Sequence, residues 1–238
     1  MGHLHCDTGT LQISSRGRWI ISDPGYQQYL KRTERDFTMG VSAHNTPVIN
    51  GKSQTRKVPR RKFRFAGAQE ALWGVEVEMT DGYAEDLQVG QVFRTVWLSG
   101  RQLVVVADRI ECPGLVSIDY HWHGHPEAAW WVADRWARIY LDETTLWITS
   151  PQADLREEMV DRLPGSRGQL TLKTPITGTQ PVVWWVFALG TETPVLEVLE
   201  NGFQLKVGDQ FFPHTMPAET AAKIAHFDNG LLHHEVKS

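Results

Sequence analysis

VFRTVWLSGRQLVVVADRI, residues 92–110, is the stretch whose reading decides the fold class. Two runs rich in β-branched and aromatic residues flank a break at Ser99-Gly100, which is the pattern of an antiparallel hairpin. The same pattern recurs along the chain. GTLQISSRGRWIISDPG (9–25) breaks at Arg16-Gly17, and ARIYLDETTLWITSP (137–151) breaks near Asp142-Glu143. VLEVLENGFQLKVGDQ (195–210) breaks at Asn201-Gly202, the strongest short hairpin signal. GVEVEMTDGYA (74–84) adds a strand ending at Asp81-Gly82, and VVWWVFALG (182–190) reads as a buried strand too short to span a bilayer. Helical periodicity is weak. QADLREEMVDRL (152–163) is the best candidate, as a short helix or irregular loop halted by Pro164-Gly165. Regularly spaced strands with Gly turns point to an all-β fold, a large antiparallel β-sandwich with few or no long helices. At usual strand and turn lengths it would hold roughly a dozen or more strands.

The chain has 238 residues, enough for a real core, and a net charge of −4, so nothing in its overall charge advertises nucleic acid. Ten Trp is a high count. Trp lines sandwich cores, and it also lines carbohydrate-binding faces, where its flat ring stacks on sugars. The two cysteines, Cys6 and Cys112, allow one disulfide at most. No secretory signal pattern is visible. After Pro217 the chain is polar and His-rich (His226, His233, His234), so residues 216–238 are expected to be a flexible tail and 1–215 the domain.

Three groups of residues could carry chemistry. The first is HLHCDTGT, where His3 and His5 stand two apart and Asp7 follows. On a strand, residues two apart share a face, which would put Cys6 on the opposite, core side. Asp23 in SDPG and His44 in AHNT follow. Two His and a carboxylate form a recognised open Zn²⁺ set, although a strand His is more commonly a satisfied polar group than a ligand. The second group is YHWHGHPE, in which His121, His123 and Glu127 have the spacing of a first cupin metal motif. The cupin glycines are out of place, and only a faint echo of a second motif remains near Gly208-Asp209 and Pro213-His214. The plainer reading is a sandwich face of alternating His and Trp. The third is TRKVPRRKFRF, with Arg56, Lys57, Arg60, Arg61, Lys62 and Arg64. It could meet an acidic polymer, either nucleic acid or polyanionic sugar, but a solvated hairpin loop is the plainer reading.

Across HLHCDTGTLQISSRGRWIISDPG, a following Tyr and AHNTPVINGKSQ, the sequence resembles the heparinase II/III-like family of polysaccharide lyases. FRTVWLSGRQLVVVADRI followed by YHWH resembles the family's second half. The resemblance implies the C-terminal β-sandwich domain, which in complete members follows an α/α toroid with the active cleft between the two. It implies that His5, Asp23 and His44 hold a structural Zn²⁺ and that His3 faces the cleft. It also implies that Tyr29, with Tyr26 as the competing choice, lies beside the substrate. The implied substrate is an acidic polysaccharide and the implied chemistry β-elimination, with part of the catalytic set on the toroid. Periplasmic or secreted placement is implied too. No nucleic acid or membrane partner is expected, and a seam left bare without a toroid would favour homo-oligomers. The alternative function from another class is a cupin-like metal-dependent enzyme using His121, His123 and Glu127.

Overall fold

The computed structural model describes residues 4–23, 25, 32–56, 62–69, 72–83, 87, 89–133, 135–151, 155, 157–160, 169–172, 176–178, 181–199 and 202–215. In chain order, β1 (Ile13–Ser15) and β2 (Arg18–Ile21) are followed by helix α1 (Arg32–Met39) and β3 (Pro47–Ile49). A meander comes next: β4 (Lys62–Gln69), β5 (Leu72–Glu78), β6 (Gln91–Ser99) and β7 (Leu103–Glu111). Then β8 (Val116–Tyr120) and β9 (Trp122–His123) lead to a second meander of β10 (Ala129–Ala133), β11 (Trp136–Leu141) and β12 (Thr144–Thr149). The remaining strands are β13 (Glu157–Val160), β14 (Gln169–Leu172), β15 (Ile176–Gly178), β16 (Val182–Leu189), β17 (Val195–Leu199), β18 (Gly202–Val207) and β19 (Gln210–Thr215).

The hairpin at residues 92–110 forms as its sequence requires, with Ser99 paired to Leu103 and Val92 to Ile110. The Arg16-Gly17 turn has φ of 50° and 77° at its two residues. That double left-handed geometry matches the twist of the flanking strands. At the last hairpin Leu199 pairs with Gly202, so Gly202 opens β18 instead of sitting in the turn.

One eight-stranded antiparallel sheet, in the order β10-β11-β12-β16-β7-β6-β5-β4, forms the centre of the molecule. The two meanders supply its halves and β16 joins them. On its inner face Val92, Val106, Ile110, Ile139, Ile148, Val183, Trp185 and Phe187 pack against Ile20, Ile21, Ile49, Ile118, Tyr120 and Trp122. These partners come from three small sheets, β1-β2, β15-β8-β3 and β13-β14-β9. On its outer face Leu103, Val105, Trp184 and Val186 pack against Phe203, Leu205 and Val207 of the sheet β17-β18-β19. Covering on both faces explains why β16 reads as an unbroken apolar run: successive side chains enter alternate cores. Each buried Trp removes roughly 150–250 Å² from water, about 4–6 kcal/mol of gross transfer free energy as an upper figure.

Two expectations are corrected. Over Glu157–Val160 the stretch expected as helix or loop is a strand, registered against Gln169–Leu172. Its weak helical periodicity is outweighed by a cross-chain ladder that pairs its main chain. The helix lies instead at Arg32–Met39, two turns that bury Thr38 and Met39 and end at Gly40. The tail 216–238, Pro164-Gly165 and Lys57–Arg61 lie outside the described residues.

Candidate functional site

From Leu4 onward the opening segment is not a strand. Leu4–Thr10 belong to no ladder and are fixed by individual bonds. The Cys6 N–H donates to Met39 O at the end of α1 (3.0 Å), and the Thr10 N–H donates to Asp7 O (3.0 Å). Gln54 grips both main-chain groups of one residue, accepting from the Thr8 N–H at 2.8 Å and donating to Thr8 O at 3.0 Å. The Thr46 hydroxyl donates to the same Thr8 carbonyl at 2.8 Å. Gly9 makes the tight turn with φ of 78°, and a Cβ there would stand 1.9 Å from Met79 Sδ. Only glycine fits that position. Cys6 is nevertheless buried, as expected, while His5 is half-buried and Asp7 exposed. Cys6 and Cys112 are both free thiols.

His44 follows a short 3-10 turn, Val41–Ala43, and is buried. Its Nδ1 lies 2.5 Å from Asp23 Oδ2. Asp23 sits just past β2, and its other oxygen accepts from the Gly25 N–H at 2.9 Å. Burial alone would raise the Asp23 pKa. The hydrogen bond and charge of His44 outweigh that and hold it below the usual carboxylate value. The His5 ring centroid is 5.4 Å from that of His44. Burial first, and then the His44 charge, lower the His5 pKa; Arg56 pushes it the same way.

Asn45 locks this cluster to the fold. Its side-chain N–H groups donate to Leu11 O and Ser22 O (both 2.9 Å), and its Oδ1 accepts from the His123 N–H (2.7 Å). Its own N–H donates to Thr10 Oγ1 at 3.0 Å. Behind it stands a buried ion pair. Arg94 Nε and Nη2 donate to the two Asp108 oxygens, each at 2.7 Å. Arg94 Nη1 donates to Gly9 O and Asn45 O, each at 2.6 Å, and the guanidinium lies 5.5 Å from the Trp122 ring centroid. One cation from the central sheet thus holds the loops on either side of the His-Asp cluster.

His5, Asp23 and His44 are therefore brought together. Among the described residues, no three His, Cys, Asp or Glu groups form a ready metal cage. Ligands of one tetrahedral Zn²⁺ at about 2.0–2.2 Å stand roughly 3.3 Å apart, so the 2.5 Å contact between Asp23 and His44 Nδ1 is a hydrogen bond, not a pair of ligands. In the neutral imidazole this contact is a hydrogen bond from Nδ1–H, and Nε2 is then the lone-pair nitrogen. Nε2 is buried and makes no hydrogen bond among the described residues. A carboxylate-oriented imidazole with its far nitrogen bare is a donor suited to Zn²⁺. The residues fit the ion, with His5 and His44 as imidazole donors and Asp23 beside them. His3, Tyr26 and Tyr29 lie outside the described residues.

The cupin alternative is corrected. His121 and His123 do stack, with ring centroids 6.3 Å apart. But His123 Nε2 is bound to Ser42 O at 2.8 Å, and Glu127 turns outward to accept from Arg18 Nη2 at 2.8 Å. The β9 strand is only two residues long, so the chain has already turned away before Glu127. Sequence reasoning missed Asn45, Arg94 and Asp108 as the groups that position the site. The available signal was two opposite charges at facing positions of the 92–110 hairpin, where Arg94 pairs with Asp108.

A central sheet clad on both faces, with a His-Asp cluster pinned by loops on its inner side, defines an all-β super-sandwich domain. The chain belongs to the heparinase II/III-like family as its C-terminal domain, whose family model matches residues 1–182. Its fold is similar to that of heparan sulfate lyase HepC from Pedobacter heparinus (TM-score 0.71, 14% identity, 90% of this chain and 37% of that chain). It is similar also to a heparinase III (TM-score 0.69, 14% identity, 89% of this chain and 37% of that chain). No curated protein matches. The chain spans little more than a third of the length of these solved relatives.

Proposed function

We propose that this chain is the sandwich domain of a polysaccharide lyase that cleaves uronic-acid-containing acidic polysaccharide by β-elimination. The observation that carries the reading is the family match over residues 1–182, which takes in every member of the His-Asp cluster. In β-elimination a uronic acid loses its C5 proton and the 4-O-linked sugar departs. The C5 proton is weakly acidic until the adjacent carboxylate is neutralised, so the site needs a neutraliser, a base and an acid within hydrogen-bond reach. This domain contributes His3 and Tyr29 to that set. The remaining groups come from an α/α toroid domain, consistent with solved relatives of which this chain covers 37%.

His5 and His44 supply the imidazole donors for a Zn²⁺ at the base of the cleft wall, and Asp23 stands beside them orienting His44. Bound there, the ion supplies a cross-link between separate loops. The residues themselves fix the wall: Asp23 orients His44, and Gln54 and Asn45 hold the main chain around it. Arg56, whose charge reaches His5, favours an anionic polymer near the wall.

Elemental analysis of wild type and His5→Ala tests the metal. About one equivalent in wild type and a clear loss in the variant are expected, with a lower melting temperature because binding free energy is also folding free energy. Equal metal in both overturns the site. An absorbance assay for the unsaturated uronate product, run on several acidic polysaccharides, tests completeness. The 238-residue chain alone should turn over little or nothing, and robust turnover would show that the sandwich carries a complete site.

A further inference from the structure

We propose that the outer face of β10 and β11 is a second binding surface, for an acidic oligosaccharide, built on Trp131, Arg138 and Tyr140. Strand β11 alternates: Ala137, Ile139 and Leu141 are buried in the inner core, while Arg138 and Tyr140 are exposed on the other side. Trp131 pairs directly with Arg138, and Arg138 pairs with Trp147, so all three share the outer face. The sheet β17-β18-β19 covers that face over β7 and β16 and reaches Trp147 and Trp136, and among the described residues none packs over β10 and β11 beyond them. Trp131 is 51% exposed and Tyr140 48%. Rings of this size are usually well buried, so two on one open face form a patch that needs a partner.

The patch has the chemistry of a sugar platform. Ala129 and Ala133, the next residues of β10 on this face, are too small to cover the Trp131 ring. Trp131 and Tyr140 occupy diagonal positions about 7–8 Å apart, so neighbouring sugar units can rest their C–H faces on the electron-rich rings. Arg138, opposite Trp131 and two residues from Tyr140 on the same strand, is exposed with its guanidinium 5.7 Å from the ring centroid of Trp147 on the β12 side. Among the described residues no carboxylate pairs with it. A planar guanidinium held beside aromatic rings matches a carboxylate or sulfate bidentately. The stacking rings and the cation together select an acidic sugar over an apolar protein segment. The choice of polymer class rests on the lyase reading; the platform lies on the opposite face of the sheet from His44 and would hold the polymer outside the cleft.

Isothermal titration calorimetry on the 238-residue chain tests this, with heparan sulfate and alginate hexasaccharides and neutral cellohexaose as probes. Trp131→Ala should weaken acidic binding about tenfold or more. Arg138→Gln should weaken acidic binding and leave neutral binding unchanged, and added NaCl should mimic it. Both side chains are exposed, so far-UV circular dichroism and the melting temperature should match wild type. Three results overturn the platform: no binding of any probe by wild type, unchanged binding in both variants, or a Trp131→Ala effect seen only as a shift in self-association by light scattering. Binding lost in His5→Ala but kept in Trp131→Ala also sinks the platform and leaves the lyase reading standing. Platform binding in a chain whose metal is the same in wild type and His5→Ala sinks the cleft site alone.

Discussion

Replacing Arg94 by Met should be among the most damaging single changes in the chain. The methionine fills part of the volume but leaves Asp108, fully buried in β7, with no cation. It also removes the donor shared by Gly9 O and Asn45 O. Breaking one side of a buried ion pair typically costs about 3–5 kcal/mol, because the surviving charge is stranded away from water. Domains are stable by only about 5–15 kcal/mol, so the loss is a large fraction. At about 2–4 °C per kcal/mol for this size, the melting temperature should fall by roughly 6–20 °C. Urea unfolding of wild type, Arg94→Met, Asp108→Leu and the double variant provides the cycle. Removing both charges should recover much of the loss, leaving the double variant about 1–3 kcal/mol below wild type for the carbonyls that lose a donor. An Arg94→Met protein within 1 kcal/mol of wild type would refute the reasoning. So would a double variant as unstable as the single, since a stranded charge could not then be the cause.

Burial first pushes the His123 pKa down to about 4 from an ordinary 6.5, so the fold holds this imidazole neutral. Its contribution, of order 3 kcal/mol, is fully present above pH about 6.5 and lost as pH falls from there toward 4. Urea midpoints across that window should drop less steeply in His123→Gln than in wild type, and parallel profiles would contradict the assignment. Asn45→Ala removes three side-chain hydrogen bonds within a buried hub and should cost about 2–4 kcal/mol. Its metal content should fall with its stability, whereas a protein that loses neither would show that Asn45 does not position His44. Gly9→Ala combines left-handed strain with a clash against Met79, for about 2–4 kcal/mol by thermal melting; an unchanged melting temperature would mean the loop rearranges freely.

The strands were legible because their periodicity and turns are local. Arg16-Gly17, Ser99-Gly100 and Asp142-Glu143 each declare a hairpin within a few residues, and all three form. The three-layer arrangement was only hinted at, by the unalternating VVWWVFALG. Helix α1 escaped notice because its eight residues, RTERDFTM, span only two turns of a mostly polar stretch. Glu157–Val160 misled because its pairing partner lies in another segment. In the site, His5, Asp23 and His44 were singled out and do come together, but the direct Asp23–His44 hydrogen bond was not foreseen. Spacing in a sequence suggests which groups meet, not which atom of an imidazole each one claims. Of the supports, Asn45 bonds its side chain only to main-chain groups, which leave no residue-type signature, while Arg94 was readable only through Asp108 opposite it in the hairpin.

The place of β16 between β12 and β7 has a consequence for how the chain reaches its fold. The two meanders, β4–β7 and β10–β12, can each form from neighbouring segments, but each then ends in an open apolar edge, β7 on one side and β12 on the other. Both edges wait for Val182–Leu189, which arrives late in synthesis and must insert between two preformed partners. Pairing over such sequence separation is slow because loop closure precedes any stabilising contact. Until then an eight-residue strand, VVWWVFAL, with no charge or proline, is exposed beside two edges that would accept another copy equally well. Refolding yield should therefore depend steeply on protein concentration. A chain cut before residue 182 should behave as two sticky half-sheets instead of a smaller version of the domain, even though the family match itself reaches just to that point.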